Sequence, residues 1–171
     1  VVTSVPPDGT KIIEKSTRAR ENRFEAELVI NDEHMQAFLG YKYAQDIDLK
    51  GCDVTDRGIA FLKDSKILKL SLVECALNSV NNIAKLPYLQ YLDLRANPID
   101  DECLKTLADL KMLKHLNIQE TKVTEKGILD LAKSNSLVEV FLPENKFSQT
   151  TISRLKEKMP FCHFYSYSQS S

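Results

Sequence analysis

No stretch of this chain approaches the roughly 20 consecutive apolar residues that a membrane-spanning helix needs, so membrane insertion through it is not expected. Nor does it open with the basic start and apolar centre of a signal peptide. Charge of either sign is not in excess: 23 Lys and Arg stand against 24 Asp and Glu, a formal net charge of −1. The basic stripe that would neutralise phosphates is therefore missing, and nucleic acid is not an expected partner. Cysteines spaced C-x-x-C are absent; Cys52, Cys75, Cys103 and Cys162 are dispersed. Their even number permits disulfides, but Cys52 and Cys75 fall in a packing column described below, and reduced, buried thiols are expected. The glycine-rich phosphate loops, the H-E-x-x-H and G-x-S-x-G frames and the kinase signatures are all lacking. His34, His115 and His163 lie far apart, and Cys162 and His163, being adjacent, would face opposite ways on a strand. Neither a catalytic residue nor a cofactor is expected.

What is present is a repeat. Five segments share one apolar frame: Ala44-x-x-Ile47-x-Leu49-x-x-Cys52-x-Val54, Ile67-x-x-Leu70-x-Leu72-x-x-Cys75-x-Leu77, Leu89-x-x-Leu92-x-Leu94-x-x-Asn97-x-Ile99, Leu113-x-x-Leu116-x-Ile118-x-x-Thr121-x-Val123 and Leu137-x-x-Val140-x-Leu142-x-x-Asn145-x-Phe147. Counted on the Cys/Asn/Thr column, the steps are 23, 22, 24 and 24 residues. The second and third apolar positions are two apart and share one face of a short strand, which must be buried. The Cys52, Cys75, Asn97, Thr121, Asn145 column ends the strand at a turn, where a side chain can satisfy backbone groups that no strand neighbour reaches.

A helix start follows each turn. Thr55, Ser79, Asp100, Thr124 and Ser148 are favoured N-cap residues; in the second repeat the offset slips by one, and Asn78 is the alternative. Asp56, Asp101 and Glu125 suit the positive end of a helix. Apolar pairs three apart then supply one inward stripe: Ile59/Leu62, Ile83/Leu86, Leu104/Leu107, Ile128/Leu131 and Ile152/Leu155. Each unit is a strand, a turn and a helix that cannot bury its apolar face alone, so stacking makes the core.

This frame resembles that of leucine-rich-repeat proteins over about residues 44–165. Val54-Thr55-Asp56-Arg57-Gly58-Ile59 and Val123-Thr124-Glu125-Lys126-Gly127-Ile128 are similar to a T-D-x-G-L pattern found in bacterial repeats and in cysteine-containing repeats of F-box proteins. The latter run longer and carry a second cysteine that is missing here, and residues 1–43 show no F-box. The resemblance implies an α/β solenoid of about five repeats, with a parallel sheet on the concave face, short helices on the convex face, and a cap at each end. Residues 1–22 read as a polar arm or linker with a Pro6-Pro7-Asp8-Gly9 turn. Residues 23–43 read as an N-terminal cap: Phe24, Ala26, Leu28 and Ile30 as a strand, then a helix through Met35, Phe38 and Leu39 capped by Asn31 or Asp32. The repeat domain is expected over 44–165, closed by Phe161, Phe164 and Tyr165 as a partial strand or cap, and 166–171 as a polar tail.

Side chains that alternate with the buried ones face outward. The middle column is Asp48, Ser71, Asp93, Asn117 and Phe141; before it runs Asp46, Lys69, Tyr91, His115 and Glu139, and after it Lys50, Val73, Arg95, Gln119 and Pro143. The resemblance implies a protein partner held on this concave face, and the residues expected to carry it are Asp48, Lys50, Lys69, Ser71, Tyr91, Asp93, Arg95, His115, Asn117, Gln119, Glu139 and Phe141. Tyr91, Asp93, Arg95, His115 and Asn117 adjoin across two central strands and form its centre, Tyr and Arg being frequent interface anchors. Phe141 stands apart as an aromatic at an outward position: it either fills a pocket in the partner or packs on a neighbour. Asp46, Asp48 and Asp93 would suit a hard cation, but Lys50, Lys69 and Arg95 neutralise them, and solvated carboxylates are expected instead. The first functional reading is a non-catalytic protein-interaction module, monomeric, with a homodimer through the sheet face or an edge as the variant. The second is an extracytoplasmic adaptor or sensor portion of a larger bacterial membrane protein. It is motivated by a start without Met and by Val2–Thr10, which resembles a T-S-x-P-x-G turn of small bacterial surface domains. An enzyme is the third.

Overall fold

The computed structural model describes residues 12–14, 23–26, 30–40, 43–144 and 147–166. Among them eight strands form one sheet in sequence order: β1 (Ile12–Glu14), β2 (Arg23–Ala26), β3 (Asp46–Asp48), β4 (Lys69–Ser71), β5 (Tyr91–Asp93), β6 (His115–Asn117), β7 (Glu139–Phe141) and β8 (His163–Tyr165). β1 and β2 pair antiparallel, and every later neighbour pairs parallel. A parallel pair needs a crossover between its strands. From β3 to β8 each is made by a turn and a helical segment where the periodicity predicts one: α1 (Asp56–Ile59, tightening to a 3-10 turn over Ala60–Leu62), a single 3-10 turn at Ile83–Lys85, α2 (Asp101–Leu107), α3 (Glu125–Leu131) and α4 (Gln149–Lys158). The result is the α/β solenoid that the repeat implies. β3 to β7 carry the five frames, and β1, β2 and a 3-10 helix at His34–Gly40 precede them. The β1 strand lies inside the stretch read as an arm. Residues 1–11, 15–22 and 167–171, and with them the Val2–Thr10 turn and most of the polar tail, lie outside the described residues, as does Asn145.

The core follows the frame. Ile47, Leu49, Leu70, Leu72, Leu92, Leu94, Leu116, Ile118, Val140 and Leu142 point inward from the strands and are buried. From the helix side they meet Ile59, Leu62, Ile83, Leu86, Leu104, Leu107, Ile128, Leu131 and Leu155.

The corner after each strand shows why the Cys/Asn/Thr column exists. Asn97 is buried. Its Oδ1 accepts from Cys75 N (3.1 Å) and Leu77 N (2.9 Å), while its Nδ2 donates to the carbonyls of Leu72 (2.6 Å), Leu94 (3.0 Å) and Arg95 (3.1 Å). One amide thus closes backbone groups of two repeats. Thr121 and Cys75 do part of this work as donors, Thr121 Oγ1 to Ile118 O at 2.7 Å and Cys75 Sγ to Leu49 O. The residue before the column is left-handed at four corners: Gly51 (φ 66°), Glu74 (57°), Ala96 (54°) and Glu120 (56°). A side chain costs about 1–2 kcal/mol there, so the packing of the corner overrides local preference at three of them.

Thr55, Asp100, Thr124 and Ser148 are N-caps, each accepting from backbone N–H groups of its own first turn. The second repeat departs from expectation. Ser79 and Asn78 cap nothing; the 3-10 turn starts after Asn82, with no side-chain cap. This repeat has the shortest step, and the first-turn position taken by Asp56 in the repeat before is here Val80, which is buried. At the N-terminal end Asn31 is the cap, accepting from Glu33 N and His34 N, and Asp32 is free to reach forward.

That reach is repeated along the array. Asp32 accepts from Thr55 N (2.7 Å), Thr55 Oγ1 (2.5 Å) and Gly58 N (3.0 Å). Asp56 accepts from Ser79 Oγ (3.4 Å) and Asn82 N (2.9 Å), and Asp101 from Thr124 N (2.8 Å) and Thr124 Oγ1 (2.7 Å). Glu125 takes Ser148 N–H, which holds its carboxyl below the usual range. Each acid therefore touches the helix start of the following repeat, where a carboxylate meets unpaired N–H groups. The glycine of the T-D-x-G motif is explained by the same contact. A Cβ on Gly58 would overlap the Asp32 carboxylate and press on Met35 and Val54, and one on Gly127 would overlap Asp101. Val80 carries no carboxylate, so the series skips the boundary between the second and third repeats.

Two predictions arise here. Gly58→Ala is expected to lower stability by about 1–3 kcal/mol through overpacking, and by less in an Asp32→Ala background; urea unfolding of the four proteins measures the coupling. The four cysteines are free and buried. Burial pushes the Cys75 and Cys162 thiols up to about 11, and raises Cys52 and Cys103 as well. Native thiols should resist a water-soluble disulfide reagent at neutral pH and react on unfolding. Since unfolded thiols ionise first, their contribution to stability should be lost as pH rises through the interval from 9 to 11, most plainly in a comparison with Cys75→Ala.

Candidate functional site

The outward columns are brought into register by the sheet. Asp46, Lys69, Tyr91, His115, Glu139 and His163 lie side by side, as do Asp48, Ser71, Asp93, Asn117, Phe141 and Tyr165. Lys50, Arg95 and Gln119 follow at the strand ends. The twelve residues singled out by alternation thus share one face, but they are not equivalent on it.

Lys50 and Lys69 are exposed, whereas Asp48, Ser71, Tyr91, His115, Gln119, Glu139 and Phe141 are partly covered. Asp93 is only 2% exposed, and Asn117 is also buried. An aspartate buried on an outward face demands a partner, and Arg95 supplies it. Arg95 Nε lies 3.1 and 3.0 Å from the two carboxylate oxygens, its Nη2 lies 2.8 Å from Oδ2, and its backbone N donates to Oδ1 at 3.1 Å. The hydrogen bond to Asp93 raises the already high Arg95 pKa. The guanidinium is therefore folded back over the middle column and fixed, while the Arg95 side chain stays 44% exposed. Tyr91 stands beside it; burial, then the Asp93 charge, pushes its phenol up. Asp46, Asp48, Lys69, Ser71, Tyr91, Asp93 and Arg95 line a shallow pocket of about 380 Å³ over β3, β4 and β5. Among the described residues no group of three His, Cys, Asp or Glu side chains is placed to hold a metal ion.

Beyond this pocket the face changes character. His115 lies 6.2 Å from the Tyr91 ring and its Nδ1 is 2.7 Å from Glu139 Oε2, so the first column is linked across β5, β6 and β7. Asn117, whose Oδ1 accepts from Gln119 N, and Gln119 form an uncharged strip. Past them Phe141 stacks on Tyr165 with ring centroids 4.9 Å apart and planes 20° apart. Of the two readings of Phe141, packing on a neighbour is therefore observed, and the pair leaves an apolar plate on the surface, with Tyr165 still exposed. The sequence placed Tyr165 in a terminal strand but not on this face; the signal was there, because Tyr165 lies 24 residues after Phe141, one repeat on.

A family model for the leucine-rich repeat matches residues 85–108, the run through β5 into α2. Together with the repeated strand, turn and helix, this shows a leucine-rich-repeat fold. Among solved structures it is similar to internalin C2 from Listeria monocytogenes, with a TM-score of 0.62 and 19% identity over 87% of this chain and 74% of the internalin. It also resembles a second internalin (inlF) of that organism, with a TM-score of 0.50 and 17% identity over 60% of this chain and 30% of the other. At these identities the likeness is one of fold. A sequence search of curated proteins finds no match. Among the described residues no helix is long and apolar enough to cross a membrane.

Replacing Asp93 tests the central geometry. Asp93→Ala should cost about 1–3 kcal/mol, since the charged hydrogen bonds between Asp93 and Arg95 are lost, and should free the Arg95 side chain. The Arg95 Nε–H should then exchange with solvent faster than in the parent protein, which hydrogen exchange followed by NMR measures.

Proposed function

We propose that the chain is a non-catalytic protein-binding module that holds its partner on the concave sheet. One observation carries this reading: a buried carboxylate, Asp93, is spent on fixing an exposed guanidinium next to Tyr91 at the centre of the face. Burial of a carboxylate is expensive, and what it provides is a side chain ordered before contact, which reduces the entropy lost on association. Tyr and Arg are the residue types that most often dominate such contacts. Five strands spaced about 4.8 Å apart give the face a width suited to a standard contact of about 800 Å² on each partner. Two pairs of ionisable groups on this face, Asp93 with Arg95 and His115 with Glu139, are engaged with each other.

The experiment is affinity capture by the wild-type chain beside a Tyr91→Ala/Arg95→Ala/His115→Ala variant, with thermal unfolding of both as a control for folding. The expected result is a protein captured by the first and lost, or bound at least about tenfold more weakly, by the second. An identical catch from both would reject the concave face.

A further inference from the structure

Resting on that reading, we propose that the partner presents an extended segment carrying one carboxylate and one aromatic side chain three residues apart, the carboxylate on Arg95 and the ring on the Phe141–Tyr165 plate.

The carboxylate follows from what Asp93 leaves open. It occupies Nε and one proton of Nη2, so the outer edge of the guanidinium remains for an acceptor. That edge is fixed in direction, and planar carboxylates are the groups it matches best. Asp46 and Asp48 line the same pocket and Glu120 acts on the guanidinium, and their field opposes a doubly charged phosphate more than a singly charged carboxylate. The ring follows from the plate: Phe141 and Tyr165 are the two stacked aromatics of an otherwise polar column, and a partner ring extends an offset stack of this kind.

Spacing joins the two halves. Because the guanidinium lies over Asp93, it shares a column with Phe141, and β5 and β7 are two strand spacings apart, about 10 Å. In a polyproline II segment, side chains three residues apart point the same way and are separated by about 9 Å. The intervening backbone would cross Asn117 and Gln119, which carry no charge to repel it. Such a backbone has no internal hydrogen bonds, so its carbonyls are open to side-chain amides.

The test uses the full chain, labelled with nitrogen-15, and acetylated, amidated peptides Gly-Asp-Pro-Pro-Trp-Gly and Gly-Trp-Pro-Pro-Asp-Gly, one for each chain direction. At least one should shift the Arg95 Nε–H and the side-chain amides of Asn117 and Gln119. Replacing its Asp by Asn, or its Trp by Ala, should weaken it about tenfold. In Arg95→Gln the Asp and Asn peptides should bind equally, and in Phe141→Ala the Trp and Ala peptides should. Equal or tighter binding when Asp is replaced by Lys would overturn the proposal. So would shifts on the concave face that neither protein variant alters, although that result would leave the face itself as the binding surface. Shifts confined to the helices, or none with either peptide, would overturn the proposal, and the wild-type against triple-variant capture then decides separately whether the concave face binds at all.

Discussion

At strand corners and helix starts this molecule leaves backbone polar groups that one repeat cannot satisfy alone, and side chains from an adjacent repeat satisfy them, some reaching back and others forward. Asn97 reaches back to close Cys75 N, Leu77 N and Leu72 O at the strand corner. Asp32, Asp56, Asp101 and Glu125 reach forward to the helix starts of the following units. Apolar burial supplies most of the driving force in such an array, but it is non-directional. The directional contacts set the register, so that outward columns align across the sheet and a face exists at all.

Much of the fold was legible because each apolar position of the frame does one job in every copy. Ile47, Leu70, Leu92, Leu116 and Val140 are interchangeable in role, and five copies make the role visible. The strand faces, the inward stripes and four of the five helix caps follow from that. What escaped depended on residues one repeat away. Gly58 and Gly127 belong to a recognisable motif, yet the atoms that forbid a Cβ there belong to Asp32 and Asp101, some 26 residues earlier. Ser79 looks like a cap because its counterparts are caps; it is followed by Val80, an apolar residue where three of the other four repeats have an acid and the last has Gln149.

The outward face was legible as a set of positions and less so as an arrangement. Alternation identifies Asp93 as outward, but its burial comes from Arg95 folding back over it, a choice of rotamer that no periodicity encodes. Phe141 was the anomaly of its column until the last strand supplied Tyr165. In both cases a single pair turns a row of polar side chains into something with direction: a fixed cation toward one end and a hydrophobic surface toward the other.

The gap in the series of forward-reaching acids has a mechanical side. Where Asp32, Asp56, Asp101 and Glu125 act, sliding one repeat past its neighbour must break charged hydrogen bonds on the helix side as well as the ladder of the sheet. At the boundary beyond Val80 the helix side has apolar contact and one weak thiol contact, Cys103 Sγ to the Asn78 carbonyl at 3.7 Å, and these tolerate small displacements in a way that a charged hydrogen bond does not. Bending or tension applied along the solenoid therefore concentrates at the junction of the second and third repeats. That junction lies beneath β4 and β5, the strands that carry Lys69, Ser71, Tyr91, Asp93 and Arg95, so a displacement there would reshape the charged pocket before it reached the aromatic end.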